Sequence, residues 1–445
     1  MRFSLPATRR PSSASLIAVL ALTLGAALLV VTAVGLIRGG EATSPAPGTG
    51  IAAVDPLSQA IDAAQERLRR NPEDAATWAR LGSAYVEQAR ITADPSYYER
   101  AQGALDRSMA LQPDGNADAL IGLGALANAR HDFAAARDVA LQARELRPAT
   151  AAVYGVLADA LTQLGDVDGA TAAIQTMLDT RPGIASFTRA SYDFELHGRV
   201  DDARMALQRA LDVAIGRADI AFCRYYLGEL AFTNGDLDDA AEQYDRGLAA
   251  APDDVALRQG KAKVAAARGD VEQALADYQT VTNRVPLPQY VQEYGELLES
   301  AGRVDEAQVQ YELFTQQQRL YEAAGSVDDL AASQFAADHG DSSEALRRAE
   351  AEWERRQSVF VADAMAWALH VNGRDTEALT YADRAAVLGW RNATFAYHRG
   401  MILASLGMRA QAQAQLTEAL AINPHFSPLH VPRAEAAREQ LRSTG

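Results

Sequence analysis

Seven histidines, one cysteine and an excess of carboxylates are the residues in this chain with chemical potential. The histidines are His131, His197, His339, His370, His398, His425 and His430, and the last four fall within 61 residues. Imidazole suits zinc and nickel, so a metal centre is the first chemistry to weigh. The spacing argues against it. No HExxH occurs, and no histidine pair shares a helix face with a neighbouring carboxylate. His131 and His197 fall in turns between helices, where surface polar residues are usual. His425 and His430 sit in a proline-containing stretch after Pro424.

The other chemistries fare no better. Cys223 is the lone cysteine, so an internal disulfide, a CxxC redox pair and a cysteine-rich metal site are excluded. Beside Phe222 and Tyr225 it reads as a small buried apolar residue. No cysteine stands directly after the N-terminal apolar segment, which rules out a lipoprotein anchor. There is no GxSxG, Walker A or GxGxxG constellation. Acid pairs such as Asp238-Asp239 and Asp253-Asp254 recur at equivalent places and read as helix N-terminal residues that complement the dipole. General acid–base work needs a pocket that shifts pKa values, and nothing in the sequence locates one. Asn392-Ala393-Thr394 matches a glycosylation acceptor and reads as a chance match. The expectation is a chain that is not an enzyme, with no catalytic residue, no metal and no cofactor.

Charge narrows the partners. The chain carries −16, and residues 1–40 hold four arginines and no acid, which leaves the remainder at −20. Such a body repels nucleic acid unless it has a local basic stripe, and none is evident.

The elements that must position any site are helical. Proline is confined to segment ends, and Ala, Leu, Arg, Glu and Gln dominate between them. The clearest unit is Val255–Pro286. Gly269-Asp270 splits it in two, with Ala262 and Ala265 inward in the first half and Ala274, Tyr278 and Val281 inward in the second. One 34-residue period earlier, Gly235, Ala240, Tyr244 and Pro252 hold the equivalent places. Two helices of this length cannot bury an apolar face alone, so copies must stack. The first copy carries Trp78, Leu81, Gly82 and Tyr85 in the order W-x2-L-G-x2-Y.

On those residues the chain resembles bacterial tetratricopeptide repeat proteins with an N-terminal membrane anchor. The resemblance covers about 56–430 and implies an all-α, right-handed superhelical solenoid of about ten helix-turn-helix repeats after one N-terminal transmembrane helix. Small residues at the eighth position let paired helices approach. Glycine near position 15 takes the left-handed turn. Asp166, Asp236 and Asp270 are placed to cap the second helix, and proline near position 32 stops it. The first repeat carries an insert at 92–98, expected as a loop or a lengthened helix pair. The fourth repeat has no closing proline, so its second helix is expected to run through Asp212–Ile215. The seventh is expected to have a long second helix ending at Ala323.

The N-terminus has its own logic. Leu16–Ile37 is uncharged over 22 positions, enough at 1.5 Å per residue to span about 33 Å. Arg2, Arg9 and Arg10 precede it, which places residues 1–15 in the cytoplasm and the body outside it. A cleaved signal peptide ending near Ala33-Val34-Gly35 is the rival. Residues 38–55 read as a flexible linker. Residues 56–431 form the solenoid and 432–445 a capping helix and tail.

The resemblance implies a concave groove lined by the first helices. It assigns to that groove Tyr192 and Glu195, then Phe222, Tyr225, Glu229 and Phe232. Gln259 and Lys263 follow, then Gln289, Gln292, Glu296 and Glu299, and finally Asp363, Trp367 and His370. Aromatics anchor partners and amides bond an extended backbone. The expected function is a membrane-anchored, extracytoplasmic scaffold that holds protein partners in this groove. A chaperone-like delivery or maturation factor for an envelope protein or cofactor complex is the alternative.

Overall fold

The computed structural model describes residues 56–443. The expected tail, anchor and linker, 1–55, lie outside the described residues. Among the described residues there are 22 helices and no strand, and no helix is long and apolar enough to cross a membrane. An entry helix, Pro56–Arg70, precedes ten antiparallel pairs. These run from Ala75–Thr92 with Ser96–Leu111 to Ala393–Ser405 with Arg409–Ile422, and His430–Ser443 caps the end.

Local chemistry sets the helix ends. Second helices end at Leu111, Leu146, Thr180, Ala250, Arg284 and Ile422. Each lies two residues before a proline, which cannot extend the helix and biases its predecessor to extended backbone. Asp166 and Asp236 accept from the backbone N–H of Gly169 and Asp239, at 3.0 and 3.1 Å. Asp270 makes no such cap, contrary to expectation. The fourth repeat's second helix also ends early, at Asp212. The first-repeat insert is absorbed by a longer first helix that stops at Ala93 in the left-handed region. The seventh repeat's long helix does run to Ala323. Small residues permit close pairing: a Cβ on Gly82 would meet Leu105 at 2.5 Å, and one on Gly295 would meet Tyr311 at 2.5 Å.

The array winds back onto itself. Turns inside repeats two to five meet loops that follow repeats seven to ten. The Val327 N–H donates to the Arg130 carbonyl (3.3 Å). Arg356 donates to the Gln163 amide oxygen, 193 residues away, and its guanidinium covers the Phe133 ring at 4.7 Å. The buried Asn423 amide donates to the Phe232 carbonyl (2.9 Å), 191 residues away. Roughly five to six repeats therefore complete one winding. A cross-winding apolar cluster holds Leu196, Leu330, Val359 and Phe360, with Tyr192 and Trp390 packed on it.

Turn glycines divide by this seam. A Cβ on Gly198 would meet the Gly389 carbonyl oxygen at 2.5 Å, and one on Gly235 the Ile422 oxygen at 2.9 Å. Gly302 has the same left-handed backbone, φ 77° against 69° for Gly198, and open space around it. Both positions strain any L side chain alike, so Gly198→Asn and Gly302→Asn isolate the seam. Gly198→Asn should destabilise by about 1–3 kcal/mol more than Gly302→Asn, by overpacking. Thermal melts compare stability, and small-angle scattering should show expansion only for Gly198→Asn.

Candidate functional site

A half-open chamber of about 340 Å³ lies between the inner helices of repeats four to seven and the loops of the last winding. Its helical side carries Glu195, Glu229, Lys263 and Glu296, with Glu293, Phe232 and Tyr278. The first four occupy one repeat position, 34, 34 and 33 residues apart, and so rise as a ladder along the inner face. The opposite wall brings Trp390, Asn392, Asn423, His425 and Phe426 from loops far away in sequence.

The ladder is braced by side-chain bonds. Lys263 Nζ donates to Glu229 Oε1 and Oε2, at 2.7 and 2.5 Å. It also sits 4.8 Å from the Phe232 ring centroid. Tyr244 donates its hydroxyl to the same Glu229 at 2.6 Å. Glu293 accepts from Gln259 (2.6 Å), Tyr278 (3.1 Å) and Gln289 (3.3 Å). Glu296 accepts from Gln292 at 2.8 Å. Glu195 accepts from the Trp390 side chain, yet burial lifts its carboxyl from its ordinary 4.5 to about 7. Burial also raises Glu293, against Lys263 and the Gln259 bond.

Fifteen residues were expected to line a partner groove. Five of them, Glu195, Glu229, Phe232, Lys263 and Glu296, come together in the chamber. Gln289 and Gln292 are half-buried and hold Glu293 and Glu296 in place. Of the rest, Glu299 accepts from Tyr311 at 2.7 Å and His370 pairs with Asp375 at 2.5 Å, and six others do not present a groove surface. Tyr225 is 1% exposed and packs on Tyr244, and burial pushes its hydroxyl well above the usual phenol range. Gln259 is wholly buried behind Glu293. Tyr192 stacks on Phe360 across the seam. Trp367, 5% exposed, donates to Asp338 (2.7 Å) and stacks on His398. Phe222 and Asp363 are buried as well.

Two of the C-terminal histidines are paired with aspartates inside the fold. His398 pairs with buried Asp363 at 2.9 Å, and His430 with Asp338 at 3.2 Å. Among the described residues no group of three or more His, Cys, Asp and Glu can hold a metal ion. His131, expected at the surface, takes the left-handed turn (φ 62°) and is packed into the seam on Phe133. Burial lowers its pKa, against the pull of Asp328 at 3.7 Å. Cys223 is buried, as its setting implied.

Sequence reasoning missed Glu293, Trp390 and Phe426. Glu293 lies one period after Gln259, which the groove rule did select, so that signal was present. Trp390 and Phe426 had none, because they lie in loops between repeats.

Comparison with known proteins places these repeats. Residues 116–183, 192–255 and 260–315 match one tetratricopeptide repeat family model, and 393–426 match a second. No curated protein matches the chain. TTC0263, a thermophilic TPR protein of Thermus thermophilus, is 21% identical. That match covers 40% of this chain and 95% of TTC0263, with a TM-score of 0.35. A tetratricopeptide repeat protein of Parabacteroides merdae is 16% identical over 58% of this chain and 98% of its own, with a TM-score of 0.36. Yeast Tom70 is 14% identical over 87% of this chain and 86% of its own, with a TM-score of 0.37.

Glu195 gives a signed pH dependence. Between pH 4.5 and about 7 the folded chain holds a proton that the unfolded chain has released. Stability from this group therefore falls as pH rises through that window. Glu195→Gln removes the cost, so at pH 8 it should melt above the parent by roughly 2–4 °C, with no gain at pH 4.5. Paired thermal melts at the two pH values measure it.

Proposed function

The chain carries tetratricopeptide repeats, and from that premise we propose that it is a scaffold holding a segment of a partner protein in its inner chamber. Such repeat proteins generally mediate protein–protein interaction. The observation that carries the reading is the chamber itself, where Phe232, Tyr278, Trp390 and Phe426 stand beside aligned carboxylates. Apolar walls with a few convergent polar groups are the usual make-up of a binding site, and buried aromatics are the usual anchors of an interface. The same reading makes the scaffold a single-pass membrane protein, held by residues 16–37 with its body outside the cytoplasm. Its support is the 22-residue uncharged run with arginines before it.

Two experiments test this. Affinity capture of the full chain followed by mass spectrometry should recover protein partners. Phe232→Ala/Phe426→Ala should lower that recovery about tenfold or more, as loss of hot-spot side chains does, with helical circular dichroism unchanged. Equal recovery by the double variant rejects the chamber as the partner site. In alkaline carbonate extraction the full chain should stay with the membrane pellet, and release into the supernatant rejects the anchor.

A further inference from the structure

A second cavity lies on the seam, apart from the chamber. It holds about 460 Å³ and is half-open. One wall is the turn at Gly165 with Val167, Ala170 and Leu196, from repeats three and four. The other brings Trp353, Phe360, Val387 and Leu388 from repeats eight and nine. The windings touch beside it at two points. A Cβ on Gly165 would meet the Gln357 carbonyl oxygen at 2.8 Å, and one on Gly198 the Gly389 oxygen at 2.5 Å. Those contacts fix the spacing of the walls, and the side chains between them leave the space unfilled.

Three charged groups line this cavity, Asp193, Asp383 and Arg384. The two acids are answered. Asp383 accepts from the Arg399 guanidinium at 2.8 and 3.0 Å. Asp193 accepts from the Thr171 hydroxyl at 2.8 Å, and burial raises its carboxyl toward the neutral form. Arg384 is not answered. It lies over the Trp353 and Tyr381 rings, 5.5 and 5.4 Å from their centroids, and no acceptor among the described residues bonds it. Cation–π contacts leave its N–H donors to an anion. Val387, 74% exposed, adds apolar surface at the rim.

An unpaired guanidinium at the mouth of an apolar space calls for a ligand with an acid head and an apolar body. Volume sets the size of that body. An apolar cavity of roughly 150 Å³ takes one benzene, so about three times that space takes a single tail of about ten carbons. The wall mixes aliphatic and aromatic side chains from several elements, which a flexible tail can follow. We propose that this seam cavity binds a free fatty acid of medium length, its carboxylate paired with Arg384 and its tail laid between Leu196, Phe360 and Leu388. The site is separate from the chamber and stands or falls independently of partner capture there.

Carbon-13 NMR on the full chain in phosphatidylcholine nanodiscs tests it, with carboxyl-labelled decanoate as probe and protein-free nanodiscs as reference. Decanoate should give a saturable bound resonance, and labelled acetate, which has no tail, should give none. Labelled decanamide, neutral and of the same shape, should bind about fivefold more weakly, the upper range for a partly exposed ion pair. Arg384→Gln should remove that difference and leave decanamide unchanged. Val387→Asp should weaken decanoate about tenfold or more, by setting a like charge beside the head. Both positions are exposed, so circular dichroism should match the parent. Arg107→Gln removes the same charge from an exposed position elsewhere and should change nothing. No saturable decanoate signal overturns the proposal, as does equal binding of decanamide. Undiminished binding by Val387→Asp, or an equal loss in Arg107→Gln, overturns it too.

Discussion

The structure depends on how closely one winding of the array approaches the next. Stacking alone would satisfy ten helix pairs, because each pair covers the apolar face of its neighbour. Stacking does not enclose anything. Enclosure arises where the turns at Gly198 and Gly235 come against carbonyls of the following winding, close enough that no Cβ fits between them. The chamber's far wall, Trp390 and Asn423 to Phe426, is carried on the loops that follow those carbonyls. Remove the approach and the inner helices keep their ladder but lose the wall opposite it.

The seam is specific as well as adhesive. Apolar packing around Phe360 supplies contact but sets no register, since the hydrophobic effect is non-directional. Register comes from polar groups that would be orphaned in any other alignment. Arg356 is buried, paired with Glu352 on the helix that precedes it and bonded to Gln163 across the seam. Breaking a buried pair by removing one partner costs about 3–5 kcal/mol. Asn423 meets the Phe232 carbonyl in the same manner. His131 packs into the seam with its pKa lowered by burial, so near neutral pH the seam carries the neutral ring and needs no extra countercharge.

What the sequence disclosed follows from the range of each interaction. Helix boundaries were legible because prolines such as Pro286 and glycines such as Gly269 act within a few residues of themselves. The first-helix residues Glu195, Glu229, Lys263 and Glu296 were legible because a repeat places equivalent positions on one face. The same rule misplaced Tyr192, Tyr225, Gln259 and Trp367. It assumes an open groove, whereas here a neighbouring helix or the next winding already covers those side chains. Trp390 and Phe426 left no mark, since their role is set by partners roughly 190 residues away and no local pattern encodes a winding number. The helix caps mark the limit at short range: Asp270 has the right type and position and still makes no cap, although Asp166 and Asp236, exposed like it, do.

The ladder shows why a repeat protein can carry such a site. Four carboxylates from a recurring position and its neighbour converge in one chamber, and burial opposes the ionisation of two of them, Glu195 and Glu293. One replacement in the series, Lys263, bonds the middle rung, Glu229, and its charge also favours the ionised form of Glu293. A single-core domain of marginal stability would register the remaining cost globally. In a stacked array stability is nearly a sum over repeats and their interfaces, so the cost stays in repeats four to seven, where Tyr278, Gln259 and Gln292 offset part of it. Closing the second winding over these rungs removes them in part from water, which raises the cost of ionising Glu195 and Glu293.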